Sequence, residues 1–226
     1  MKRKNTSLTS TVLSLTLPIA PRIKKDNSNN IMIRLFKALC KALLNKISEE
    51  EAFLTMTREF SCYGSGCPIC GAAGKLSDHG EYRRNHVTIA DGIIIESRVS
   101  AKRIKCESCK VSHALLPDTL IPHSPYTLVF KLTVLIAFFD RDTTVEKLCE
   151  RFKIAISTLY EWKKLMAAHK DYMLGVLISR KTPALAFLRG LLGSSNISES
   201  LHSFFHIYGF SFMQGASAPA ARSVPP

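Results

Sequence analysis

Two cysteine pairs offer the clearest chemistry in the chain: Cys67-Pro68-Ile69-Cys70-Gly71, answered by Cys106-Glu107-Ser108-Cys109-Lys110. Two thiols separated by two residues sit on one tight turn, which aims both sulfurs inward and turns backbone N–H groups towards them. A proline after the first cysteine and a glycine after the second suit such a knuckle. Two knuckles supply four thiolates, the closed tetrahedral set of structural zinc. Cys67, Cys70, Cys106 and Cys109 are therefore expected to hold one structural Zn2+. The intervening 35 residues exceed the spacing of the simplest zinc patterns. Ala90-Asp91-Gly92 explains the excess, because Asp-Gly supplies the positive φ of a tight hairpin turn between His86–Ile89 and Ile93–Val99. The ion would hold together a module of about 50 residues, too small to rely on its core alone. A redox dithiol and an iron–sulfur cluster are the other uses of such cysteines. His113 is either a replacement ligand or a surface or capping histidine. Cys62 reads as a bystander, and Cys40 and Cys149 as small buried residues.

A second constellation runs from Thr143 to His169. Thr143-Thr144-Val145-Glu146 has the form of a capping box, with Thr143 and Glu146 satisfying each other's free donors. Val145, Leu148, Cys149 and Phe152 then share one side of a short helix. Lys153-Ile154-Ala155-Ile156 forms a break, and Ser157 suits the N-cap of a helix that buries Leu159, Trp162 and Leu165 or Met166. This is the spacing of a helix-turn-helix, with Cys149 small enough for a close crossing and Lys153 where glycine is commoner. Such a motif lays its second helix in the major groove of duplex DNA. The DNA-facing candidates are Ser157, Thr158, Tyr160, Glu161, Lys163 and Lys164. Glu161 can accept from a cytosine amino group, Thr158 and Tyr160 serve bases or phosphates, and the two lysines meet phosphate. Arg98, Lys102, Arg103 and Lys105 form a basic strand row that offers further phosphate contacts, Arg103 and Lys105 lying next to the second cysteine pair.

The elements that must position these residues are an α+β arrangement. A small β-hairpin zinc ribbon is followed by a three-helix helix-turn-helix unit, with a helical N-terminal segment and flexible ends. Residues 1–30 read as a disordered basic arm and 31–60 as an amphipathic helix carrying Leu35, Phe36, Leu39, Leu43, Leu44 and Ile47. Residues 61–116 are the ribbon and 117–125 a stiff proline-rich connector. Residues 126–170 hold the helix-turn-helix, with Tyr126–Phe139 as its supporting helix, and 171–226 a short helix and a poorly ordered, partly aromatic tail. The 226 residues carry 31 Lys+Arg against 18 Asp+Glu, a net charge of +13. Residues 1–46 alone contribute +9, so the excess is mainly an N-terminal arm that favours polyanionic partners. An apolar fraction of 46% excludes wholesale disorder, and seven cysteines are too few for a disulfide scaffold. No stretch approaches the roughly 20 apolar residues of a membrane span. Met-Lys-Arg-Lys before Leu8–Ala20 only loosely has the form of an export signal, diluted by five Ser/Thr and Pro18. The chain is expected in the cytoplasm, associated with the nucleoid.

Residues 62–170 resemble the N-terminal part of bacterial insertion-sequence transposases and a related group of short uncharacterised proteins. The resemblance is carried by the Cys-Pro-x-Cys-Gly knuckle, by Arg103-Ile104-Lys105-Cys106 leading to Cys109, and by His113-Ala114-Leu115-Leu116-Pro117, with the helix-turn-helix following. It implies binding to the ends of a mobile element. The four cysteines carry over, whereas residues of recognition helices vary between relatives. Such transposases cut DNA with a metal-binding carboxylate triad. Here 56 residues follow position 170, with Asp171 and Glu199 their only acids. Asp140 and Asp142 sit beside a helix start, where acids cap. The expected role is thus non-catalytic DNA recognition, with double-stranded DNA as partner, a separate recombinase or transposase subunit supplying chemistry, and a homodimer compatible with the pattern. The rival is a protein–protein adaptor or transcriptional regulator that uses the ribbon and the aromatic tail as an interaction surface.

Overall fold

The computed structural model describes residues 32–36, 38 and 47–215. The expected arm at 1–30, most of the expected helix before Ile47, Cys40, and residues 216–226 lie outside them. Among the described residues the fold is α+β, with a four-stranded sheet and seven helices. Strands β1 (Met32–Leu35), β2 (Leu76–Ala90), β3 (Ile93–Cys106) and β4 (Ser112–Pro117) are arranged in the order β1-β4-β3-β2. Helix α1 (Glu49–Glu59) precedes the hairpin, and α2 (Leu128–Asp140), α3 (Val145–Phe152), α4 (Ile156–Leu174), α5 (Val176–Lys181), α6 (Ala184–Leu192) and α7 (Ile197–Tyr208) follow it.

The hairpin is the longest feature. Asp91 and Gly92 take φ of 50° and 76°, the paired positive values of a turn whose twist matches its strands. Register runs from Ala90↔Ile93 back to Leu76↔Cys106, with one irregularity between Asp78 and Glu81. The strands are longer than the two β-rich runs suggested, because the polar residues between them alternate across a half-covered sheet. Arg84, His86 and Thr88 lie on the face that also carries Val99 and Ala101, while Arg83 and Arg98 lie on the opposite one.

Four expectations are corrected. Residues 31–60 are not one helix: Met32–Leu35 is a strand parallel to β4, with Met32 opposite Ala114, and α1 starts only after Ser48, which accepts from Glu51 N–H. Apolar residues at 32, 33 and 35 satisfy either period over so short a run, and burial against the sheet decides between them. The stretch 117–125, expected as a stiff connector, is a junction buried from 117 to 122. Thr127 N–H bonds Val87 O, Val87 N–H bonds Pro125 O, and Arg84 Nη2 donates to Ile121 O and Ser124 O at 3.0 and 2.6 Å. The segment from 171 to 215 is ordered into α5, α6 and α7, whose Leu188, Leu191, Ile197, Leu201 and Phe204 join Phe130, Leu148, Phe152, Leu159 and Trp162 in one core. The aromatic residues after 203 were read as a tail, yet Phe204 and Phe212 are buried around His169, with ring centroids 5.3 and 5.6 Å away. Finally, α3 is capped by Thr144 rather than Thr143, its Oγ1 accepting from Lys147 N–H at 3.4 Å.

Three polar ties link segments distant in sequence. Glu49 at the start of α1 accepts from Thr88 Oγ1, and burial raises its carboxyl to about 7 despite the hydrogen bonds of Thr88 and Thr127. Asp118 accepts from Ser198 Oγ on α7, while Arg34 on β1 donates to Leu120 O.

Candidate metal centre and helical face

Each cysteine pair forms the same backbone loop. Cys67 N–H bonds Ala72 O and Gly71 N–H bonds Cys67 O; likewise Cys106 N–H bonds Val111 O and Lys110 N–H bonds Cys106 O. Gly71 and Lys110, each one residue past the second cysteine of its pair, take φ of 73° and 61°. Gly71 adopts this left-handed turn without strain, and Lys110 reproduces it with a side chain. The Leu76↔Cys106 pairing that opens the hairpin brings the two loops face to face.

The result is one cluster in which the Sγ atoms of Cys67, Cys70, Cys106 and Cys109 lie within 4.8 Å of one another. Cys67–Cys109 and Cys70–Cys106 are each 3.7 Å apart. Four sulfurs at about 2.3 Å from a central ion form a tetrahedron with edges of about 3.8 Å. The donor set and its spacing therefore fit a single metal ion, as the sequence spacing predicted. Cys67 and Cys106 are buried, Cys109 half-buried and Cys70 exposed, so the site sits at the rim of the sheet. The Cys109 N–H is the main cause that draws the Cys106 thiol down to about 7. At Cys109 the Val111 N–H pulls the same way, but burial and the neighbouring thiols of Cys67, Cys106 and Cys70 push its value up to about 12. Such opposition is what four crowded thiols show on their own, and a dication removes it by neutralising the shared charge.

His113 is neither a ligand in this set nor a surface residue. It is fully buried on β4, and its Nε2 lies 3.3 Å from Cys67 Sγ, within hydrogen-bond reach of a sulfur that the Nε2–H tautomer would orient. Its spacing of four from Cys109 hinted at proximity, but the antiparallel Ile104↔His113 pairing is what delivers it. Cys62 packs half-buried beside the cluster without entering it.

The helical constellation forms around a tight crossing. Lys153 ends α3 with φ 51° and bonds back to Cys149 O and Glu150 O, while Ile154 N–H also bonds Cys149 O. The residue that stood where glycine is commoner thus takes glycine's conformation. Cys149 is buried at the crossing, and Leu159, Trp162 and Met166 of α4 are buried against Phe130 and Phe152. Helix α4 starts at Ile156 with Ala155 as its N-cap and no side-chain cap, so Ser157 lies inside the first turn instead of capping it.

The six candidates on α4 share one end of that helix but differ in exposure. Ser157, Tyr160, Glu161 and Lys164 are exposed, and Thr158 and Lys163 are half-buried. Lys163 Nζ rests 5.2 Å from the Phe138 ring and 5.6 Å from that of Tyr160, which anchors its stem on α2. The strand row is divided. Arg98 and Lys102 share a face with Arg83, where Lys102 is 3.6 Å from Asp78. Arg103 falls on the other face and stacks over Tyr82 at 5.0 Å, and Lys105 alternates with Ile104 and Cys106 beside the cysteine cluster. Arg83 went unremarked in the sequence because its position on the hairpin face depends on register.

Residues 67–162 match the model of a family described as Domain of unknown function (DUF6431), a stretch that runs from the first cysteine of the cluster to Trp162 in α4. No curated protein and no solved structure matches the chain. Among the described residues, no helix is long and apolar enough to cross a membrane.

Proposed function

We propose that this chain is a zinc-dependent, sequence-reading DNA-binding protein, a non-catalytic recognition component of a mobile element that works at the bacterial nucleoid. The observation that carries the reading is the α3–α4 crossing. It buries Leu159, Trp162 and Met166 and leaves Ser157, Tyr160, Glu161 and Lys164 exposed on the first three turns of the second helix. Those turns are what a helix-turn-helix presents to base edges. Zinc is the ion favoured by four thiolates in a closed site, and it acts here by holding the hairpin as a zinc ribbon. Arg83, Arg98 and Lys102 offer phosphate contacts on one face of that ribbon, interleaved there with Asp78, Glu81 and Glu96, while Arg103 and Lys105 add cations beside the metal site. Strand cleavage in this reading belongs to a separate recombinase. The adaptor alternative keeps a smaller aromatic surface, because Phe204 and Phe212 are buried while Phe205, Tyr208 and Phe210 are half-buried.

The test is selection from random duplex DNA by the zinc-loaded full chain at low and moderate salt. The full chain is required because α7 completes the core that supports the reading helix and β1 completes the core under the hairpin. Enrichment of a motif that survives moderate salt is expected. Glu161→Gln then relaxes one base position by about 1–3 kcal/mol, whereas Arg83→Ala with Arg98→Ala weakens all sequences alike and flattens the salt slope by about 2. Binding without enrichment, lost as salt rises, overturns the reading.

A further inference from the structure

Helix α5 leaves Val176, Leu177 and Ile178 exposed by 51, 79 and 60%. Three consecutive helical positions fan over about 200° of a helix, and the described residues leave all three uncovered. The knob is nonetheless held firmly. Ser179 donates to Asp171, and Lys170 Nζ donates to Thr182 O at 2.6 Å, pinning both sides of α5 to the end of α4.

Beside the knob lies an open groove of about 720 Å³ between the end of α4, α6 and α7, with an apolar wall that includes Leu174, Phe187, Leu191, Phe204 and Ile207. Gly190 keeps it open. A Cβ added there meets nothing within 4 Å, so packing within the chain does not demand glycine in the middle of α6. Groove and knob share a border, since the groove wall includes Leu174 and Thr182, the residues that flank Gly175–Lys181. Their charges are complementary as well: α5 ends in Arg180 and Lys181, and Glu199 stands on the groove rim.

We propose that this surface is the interface of a homodimer, in which α5 of each copy seats Leu177 in the α4–α6–α7 groove of the other. A knob beside its own groove is self-complementary under a two-fold rotation, so the contact closes at two copies instead of propagating. Exposed apolar patches of this kind mark interaction sites. The inference stands apart from the DNA reading; where that reading also holds, two α4 helices related by a two-fold select an inverted repeat.

Sedimentation velocity and native mass spectrometry of the full chain, from micromolar to hundred-micromolar concentration, test it. The expected species has twice the 25.1 kDa mass of one chain. Leu177→Glu and Gly190→Met are each expected to give monomers with unchanged far-UV circular dichroism, because one alters an exposed side chain and the other fills open space. A wild-type chain that stays monomeric at the highest concentration overturns the proposal, as does a dimer that survives both substitutions. Loss of the dimer lowers the melting temperature of both variants alike, so a Gly190→Met monomer that melts well below the Leu177→Glu monomer assigns the groove to a segment of the same chain and also overturns it.

Discussion

Lys131 is a charged residue in the middle of the most apolar helix, and its replacement by methionine is expected to change the sign of its effect with pH. The side chain is buried on α2, donates to Met213 O at 3.2 Å and lies 5.2 Å from the Trp162 ring. Burial lowers its value from 10.5 to about 8. Below about pH 8 the lysine is protonated in both folded and unfolded chains, and the fold carries the full cost of the buried ammonium. Between about 8 and 10.5 the unfolded chain binds the proton and the folded one does not, so stability rises with pH. The gap between 10.5 and about 8 corresponds to about 3 kcal/mol. Methionine removes that cost but leaves Met213 O without its donor, a loss of about 1–2 kcal/mol. Lys131→Met should therefore be about 1–2 kcal/mol more stable than the wild type at pH 7 and about 1–2 kcal/mol less stable at pH 10.5. Urea unfolding followed by Trp162, the only tryptophan, measures both. Taking the difference between the two chains cancels titrations they share. A difference that is the same at both pH values would refute the buried-ammonium argument.

Two further outcomes follow from the metal centre and from the crossing. Elemental analysis of the wild type is expected to show one metal ion per chain, and Cys106→Ser should abolish it and melt the hairpin, since structural zinc contributes on the order of 10–16 kcal/mol to small modules. Cys62→Ser should leave the metal content unchanged, and an unaltered ion count in Cys106→Ser would sink the four-thiolate site. Lys153→Gly should raise stability by about 0.5–1 kcal/mol in thermal or urea melts, because the left-handed position costs a side chain about 1–2 kcal/mol and glycine returns part of that as unfolded-state entropy. A loss of stability would mean that the lysine side chain contributes more than its backbone strain costs.

The parts of the molecule legible in the sequence were those fixed by local chemistry. Asp91-Gly92 announced a turn because few residues tolerate its φ values, and each Cys-x-x-Cys announced a loop because two sulfurs must converge. The buried side of α4 was readable from Leu159, Trp162 and Met166 at helical spacing. What escaped depended on partners distant in sequence. Met32–Leu35 becomes a strand only because β4 lies alongside it, and His113 reaches Cys67 only through sheet register. Phe204 and Phe212 looked like a tail because nothing local reveals that His169 and α2 wait to receive them. Arg84 did not stand out either, because the junction carbonyls of Ile121 and Ser124 that take its guanidinium lie 37 and 40 positions away. Ser48-Glu49-Glu50-Glu51 was a readable helix start, overshadowed by the apolar period before it.

The parallel pairing of β1 with β4 also dictates an order of assembly. Met32 pairs with Ala114, 82 positions later, so the strand that leaves the ribosome early acquires its partner late. Parallel strands need a long crossover, and closing it costs chain entropy before the first bond forms. The antiparallel hairpin, whose strands are joined by two residues, pays almost none of that and can lead. Until Ser112–Pro117 has emerged, Met32 and Ile33 have no sheet to cover them. The nascent chain thus passes through an interval in which its first strand is an open edge, and the hairpin is the template on which that edge is finally closed.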